Sequence, residues 1–559
     1  MGRNRPQLGP PTVESDKALG SLPVIARFCA RLDIGGIIDR ARPIRDVAIA
    51  SHGRVIETLV ANRLTSPRPL VHVEAWAGEW AVEEVFGIEA ATLNDDRIGR
   101  ALDAIAPALD GIIGSIGAQA IAEFGLDVAR LHWDMTSISL HGDYTTIDDE
   151  FAAPSYGHPK DRRPDLKQIQ TGLAVTSDGG VPILHRGFDG RAGEVNQVVG
   201  AMESLRSMCG QRRFLLVGDT KLVSYENLRQ MTAAGVKFIA PASKLYVGAD
   251  VLAGCDYNAA VGVDYVAQRD ADKAPERRGS YRVLEDTWTM NPPKATKGPG
   301  LEMRRVFVWS SANAAAAAKA RAKKLQRARD DLDALSRGLG GRHYPTPASV
   351  TARLTTISTK RRVGEYLRAD VGVDADAKPT LSWSFDQAAL DDEAATDGWY
   401  CLLTNLDPAD ADAAEVLARY KGQEVVERRY GSFKGPLAVA PVFLKNNRRI
   451  EALLSVICLA LLVFCLVERE ARRAIAPALK IAGLGGYRDA RPTGANLFDA
   501  LALLRLTPAT ANSPPIVPAP TGLQARILEL LPSTRSPSAE NEGDQVTSIR
   551  HPLMCGTPG

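Results

Sequence analysis

The feature that most constrains this chain is the order of patterns between residues 129 and 242. Three β-type runs come first: ARLHWDMTSISLHG from Ala129, LKQIQTGLAVT from Leu166, and VPILHRGF after the turn residues Asp178, Gly179 and Gly180. A helical stretch comes next at Glu194 to Met208, then the apolar strand FLLVGD ending at Asp219. A second helix, Ser224 to Ala234, leads to the strand KFIAPA at Lys237 to Ala242.

Three strands followed by helix, strand, helix, strand is the order of a ribonuclease H-like α/β fold, a mixed sheet with flanking helices. At 559 residues the chain exceeds one compact core, so several domains are expected. Residues 1–125 read as an all-helical N-terminal domain, with short amphipathic helices such as Leu22 to Leu32 and Arg54 to Leu64. Residues 126–245 and 396–505 form the expected catalytic core, with the strand DGWYCLLTN at Asp397 to Asn405 and one long helix from Ala411 to Ser432. Between them, 246–395 reads as an inserted subdomain holding TWTMNPPK, the strand-like MRRVFVWSS and a basic helix from Ala314 to Leu335. The Pro- and Ser-rich tail, 506–559, reads as mostly flexible.

With 68 basic and 66 acidic residues the net charge is only +2, so any polyanion-binding surface must be local. Seven scattered cysteines with no CxxC pair fit a reduced, cytoplasmic chain without a structural zinc. The run Ile450 to Val467 is apolar enough to raise a membrane question. Glu451 and Ser455 interrupt it, Arg448, Arg449 and Glu468 flank it, and a span needs about 20 apolar residues, so a buried core helix is the expectation.

Three acidic positions draw notice. Asp134 interrupts an apolar strand, with Trp133 and Met135 on the opposite face, and reads either as a solvated Asp or as a ligand. Asp219 ends a strand whose apolar run implies burial on both faces, which puts it at the carboxyl edge of a sheet where ligands bind, or makes it the N-cap of the next helix. In YKGQEVVERRYGSFK, Tyr420, Gln423, Glu427 and Lys434 recur at three, four and seven residues, the spacing of one helix face, which is either solvated or functional.

In this order the three resemble the signature of the DDE transposases of bacterial insertion sequences, in the group whose core is split by a β-rich insertion. Matching features are the Asp134 strand, the loop YGHPKDRRPDLKQ (Tyr156 to Gln168), VGDTKL around Asp219, and the helix with Tyr420, Glu427 and Lys434. That family's last motif reads Tyr, two residues, Arg, three residues, Glu, six residues, Lys; here Gln423 stands in place of the Arg. The likeness spans about residues 18 to 505.

The resemblance implies an enzyme that cuts DNA at terminal inverted repeats and joins the strands to target DNA. Asp134, Asp219 and Glu427 would hold two magnesium ions, or manganese as a substitute, since hard divalent cations prefer oxygen ligands. Tyr420 and Lys434 would meet the phosphate backbone near the cleaved bond. Lys160, Arg162, Arg163, Lys167, Gln423, Arg428 and Arg429 are the further residues expected at DNA. Trp288 and Trp309 are either base-stacking residues or subdomain core. A homodimer on two synapsed ends, helical recognition of the ends by residues 1–125, and action at the nucleoid without membrane attachment complete the expectation. A catalytically silent DNA-binding regulator and a purely hydrolytic nuclease remain as alternatives.

Overall fold

The computed structural model describes residues 16–531 apart from 46–47, 146, 268–269, 272, 436, 438–443, 487 and 510–512. Most of the tail expected to be flexible, 532–559, therefore lies outside the described residues, while a short helix, Gly522–Leu530, forms within its first part. The chain divides into two compact units, one made of residues 1–214 with 423–559, the other of 215–422.

In the first unit, strand Arg130–Leu140 pairs antiparallel with Lys167–Thr176, which pairs antiparallel with Pro182–Asp189. The turn between the last two holds Gly179 and Gly180 at φ of +82° and +63°, where residues with a Cβ are strained. Asp178-Gly179-Gly180 is thus a turn for the reason the sequence suggests.

Helix Asn447–Ala474 is the centre of this unit. It contains the apolar run from Ile450, and 94% of its most apolar stretch is buried. By length and composition it and the stretch Asp95–Phe124 are both apolar enough to cross a membrane. The first is instead enclosed by protein, packing on helices Leu22–Arg31, His52–Thr65 and Asp95–Ile105 and on strand Pro182–Asp189. Each fully buried Leu, Ile or Val contributes about 1.5–3 kcal/mol. The helices before residue 125 were expected to form a domain of their own, but their apolar faces are completed by a helix more than three hundred residues away.

Glu468 and Arg469, both buried on that helix, are matched. Glu468, 4% exposed, meets Arg429 at 2.8 Å and Arg472 at 2.7 Å and accepts from Gly494 N at 3.0 Å. Arg429 also donates to the carbonyls of Gly179 and Gly180. Arg469 pairs with Asp178 of the same turn and donates to Phe124 O. One buried cluster therefore ties the central helix, the helix Glu424–Lys434 and the sheet turn together.

The second unit holds a six-stranded mixed sheet in the order Leu215–Val217, Lys237–Pro241, Trp399–Thr404, Leu301–Ser310, Tyr281–Met290, Val261–Val263. The first two strands are parallel and the rest antiparallel. Three strands within the expected insertion thus continue the sheet, and Val283, Val306 and Val308 on two of them share a core with Leu215, Ile239 and Leu402. The part that stands apart is a smaller body: helices Ser311–Arg337 and Pro347–Arg361 packed on the hairpin Leu367–Val373 and Pro379–Phe385.

The single helix expected from Ala411 to Ser432 is two helices, Ala413–Lys421 and Glu424–Lys434. Gly422, a weak helix former, sits at the break. Tyr420 lies in the first of these helices, and Glu427 and Lys434 in the second, with Gln423 as its N-cap.

Removing one partner of a buried pair leaves an uncompensated charge, so Arg429→Met or Glu468→Gln should each cost about 3–5 kcal/mol in denaturant unfolding near neutral pH. Burial alone would raise the Glu468 carboxyl, but Arg429 and Arg472 outweigh it and hold its pKa below the ordinary 4.5. A depressed pKa stabilises above the unfolded value and loses that contribution as pH falls through the folded one. The gap between wild type and Glu468→Gln should therefore narrow as pH drops below about 4.5; an unchanged gap would remove Glu468 ionisation from the account.

Candidate active site

The site is built on one strand and one helix of the first unit. Eleven residue steps of helix, from Gln423 to Lys434, rise about 16 Å. Five residue steps of strand, from His132 to Ser137, span about 17 Å. The two elements run side by side and touch at matching intervals. Gln423 Oε1 lies 3.1 Å from His132 Nδ1, and Gln423 Nε2 donates to Trp133 O at 3.3 Å. Tyr430 donates to Asp134 O at 2.7 Å and Thr171 O at 3.1 Å. Lys434 Nζ donates to Thr136 Oγ1 at 2.9 Å and Ser137 O at 2.8 Å.

Glu427 falls between Gln423 and Tyr430 on the same helical strip, so register puts it level with Asp134. It is exposed, while Val426 and Phe433 on the other side are buried. Asp134 has a side chain 15% exposed. Its Oδ1 accepts from Met135 N at 2.8 Å and lies 3.5 Å from Lys160 Nζ.

Lys160 comes from the loop that the sequence marked as basic. Besides Asp134 it donates to Met135 O, and Glu194 Oε1 lies 4.0 Å away. Asp161 of the same loop accepts from Ser139 Oγ at 2.5 Å. The strip along the strand is thus polar with both signs of charge. Desolvation, with Lys160 nearby, holds the Lys434 ammonium below its ordinary 10.5 despite the attraction of Asp161 and Asp134, although the residue as a whole stays exposed. Burial pushes His132 down to about 4 and raises Tyr430 well above 10, so near neutral pH the imidazole is uncharged and the phenol keeps its proton.

Asp219 and Tyr420 belong to the second unit. Asp219 comes just after the parallel strand Leu215–Val217, and its Oδ1 accepts from Lys221 N at 2.9 Å, capping the turn Thr220–Leu222. Tyr420 is half buried against the unit's core, its ring 6.5 Å from that of Tyr400. Among the described residues, no group of three or more His, Cys, Asp or Glu side chains is gathered at metal-binding distance.

Several of the residues expected at DNA are committed elsewhere. Arg429 is buried in the ion-pair cluster, where no phosphate reaches it. Gln423 spends both ends of its amide on the Asp134 strand. Lys167 donates to Asp143 O and Tyr144 O, and Arg163 pairs with Asp165 at 2.7 Å. In the second unit the neighbouring cations Arg304, 8% exposed, and Arg305, which were not among those residues, pair with Glu285 and Asp286. Lys160, Arg162 and Arg428 remain exposed. Trp309 donates to Asp397 O at 3.1 Å under the Arg282 guanidinium, and Trp288 lies edge-on to Tyr246.

Sequence reasoning missed Tyr430 and Glu194. Tyr430 was readable, three residues beyond Glu427 on the same face. Nothing in sequence signals that Glu194 would meet Lys160, since that proximity arises from how separate segments pack.

Residues 14–109 match a domain of unknown function (DUF4277). No curated protein matches. Among solved structures, one described as a piggyBac transposase synaptic complex with hairpin DNA matches at 9% identity and a TM-score of 0.36, covering 95% of this chain and 91% of that one. A superposition that loose leaves the chemistry to be argued from this chain's own residues.

Tyr430→Phe keeps the ring and removes the donor to two buried carbonyls. Unfolding free energy should fall by roughly 1–3 kcal/mol; a variant as stable as wild type would mean the phenol does not hold helix to strand.

Proposed function

We propose that this chain is a DNA transposase of the DDE type, a metal-dependent enzyme with a ribonuclease H-like core that cuts DNA strands and joins them to a target. The observation that carries this reading is the register of strand and helix, in which contacts at Gln423, Tyr430 and Lys434 leave Glu427 level with Asp134. A solvated acidic helix face has no need of a matched strip of Lys, Thr and Tyr contacts along an Asp-bearing strand.

The donor chemistry fits hard divalent cations. Asp134 and Glu427 offer carboxylate oxygens, and an ammonium, Lys160 Nζ, already sits 3.5 Å from Asp134 where positive charge is favoured. Asp134 and Glu427, with Asp219 as the third ligand that the resemblance implies, would hold magnesium or manganese, two ions per site. Such ions, when bound, activate a water or 3′-hydroxyl and neutralise the leaving oxygen.

The chain's own residues do the rest. Lys434 is anchored through Thr136 and Ser137 and keeps its ammonium on the Asp134 strip, positioned as a point charge for a phosphate oxygen. Lys160 can exchange its carboxylate partners for phosphate, since an exposed ion pair of this length contributes little. Tyr430 and Gln423 hold the helix in register. A dimer on two synapsed DNA ends and end recognition by the N-terminal helices belong to this reading.

Asp134→Asn, Asp219→Asn and Glu427→Gln should each lower cleavage of element-end DNA by more than about 100-fold, because even residues surrounding a bound metal are worth about 10- to 100-fold. DNA affinity should stay near wild type. Glu424→Gln, a neighbour off the strip, should cleave normally; a dead Glu424→Gln beside an active Glu427→Gln would overturn the register. Strand-transfer products separate this reading from a hydrolytic nuclease.

Cleavage should require magnesium or manganese and be poorly supported by calcium, whose longer bonds and looser geometry misplace the nucleophile. Robust cleavage in excess chelator would contradict the metal assignment.

A further inference from the structure

Helix Ser311–Arg337 of the second unit carries six cations between Lys319 and Arg329 and no acidic residue before Asp330. The structure sorts these cations by face. Arg321 pairs with Asp397, and Lys324 with Glu393 at 3.8 Å and Tyr366 Oη at 3.1 Å. The Arg329 guanidinium lies 5.7 Å from the Phe385 ring centre. Ala328, Leu332 and Leu335 bury the inner side of the helix against its neighbours.

Lys319, Lys323 and Arg327 are left on the outer side. All three are exposed, and no ion pair or hydrogen bond engages them among the described residues. Spaced by four, they form a ladder with steps of about 6 Å and only a slight drift round the helix. Around them Ala315, Ala316, Ala318, Ala320 and Ala322 are exposed, so no long side chain hinders approach. The nearest acid, Asp330, is engaged by Gln326 at 2.9 Å. A solvated helix ordinarily interleaves opposite charges at this spacing, and this one omits them.

We infer that the Lys319–Lys323–Arg327 ladder is a docking surface for the phosphate backbone of duplex DNA. About 12 Å of uncompensated positive charge on a straight, rigid rod matches roughly three phosphates along one strand. No base-reading side chain accompanies it, so the contact is independent of sequence and adds affinity rather than choice of site. The choice of DNA over other polyanions rests on the transposase reading above.

The test uses the full chain with Lys319→Gln, Lys323→Gln and Arg327→Gln combined, all solvent-facing, and a duplex of arbitrary sequence about 40 base pairs long, with affinity measured from about 50 to 200 mM salt. The slope of log affinity against log salt should become shallower by about 2.7, from about 0.9 for each phosphate no longer neutralised. Swapping charge-conserving residues, Lys319→Arg, Lys323→Arg and Arg327→Lys, should restore it. An unchanged slope in the triple variant overturns the inference, as does a loss that the charge-conserving swap fails to restore. Abolished binding to polyglutamate with DNA binding intact would assign the ladder to an acidic protein and also overturn it. Catalysis is scored separately on the same proteins. A shallower slope in a chain that never cleaves keeps the ladder and rejects the transposase, whereas normal cleavage with an unchanged slope does the reverse.

Discussion

The buried pair of Arg429 and Glu468 is the constraint on which the first unit turns. Neither residue touches the candidate chemistry, yet Arg429 sits two residues beyond Glu427 and Glu468 sits on the central helix. The same guanidinium reaches the two glycine carbonyls of the turn that joins two sheet strands. Because an unpaired charge in that interior is far more costly than a mismatched apolar contact, the pair admits one register of helix against strand. The apolar packing of Asn447–Ala474 supplies most of the stabilisation, but apolar contacts can slide, and the ion pair cannot.

Register is what gives the site its form. Asp134 lies on a strand whose other face carries Trp133 and Met135 in the core, so its side chain is confined to one side. Along that side the helix places an amide, a carboxylate, a phenol and an ammonium at successive turns. The phenol and the amide are used on the strand itself. The carboxylates of Glu427 and Asp134 and the ammonium groups of Lys160 and Lys434 alternate in sign along this side.

Basic residues illustrate how little a charge run says about its use. Arg304 and Arg429 look alike in sequence to Lys319 and Lys323, but the first two are buried and matched by carboxylates while the last two face water. In the helix Ser311–Arg337 even neighbouring cations differ, since a rotation of about 100° per residue carries one to Asp397 and another to solvent.

The sequence by itself determined the local elements and the residues of unusual character. β-type patterning located the strand bearing Asp134, a continuous apolar run located the strand before Asp219, glycines located the turn at 179–180, and helix-face spacing singled out Glu427 and Lys434. It could also show that Ile450 to Val467 wants burial, since that is a consequence of side-chain hydration alone. Only the tertiary structure decided what each element was buried against. The N-terminal helices find their core in a helix near the other end of the chain, and three strands of the expected insertion join the sheet that holds Trp399–Thr404. Arg429 turns inward, and Glu194 comes to Lys160. Periodicity fixes which face of an element is apolar, but a hydrophobic face accepts any apolar partner, and only the full set of buried contacts and matched charges selects one.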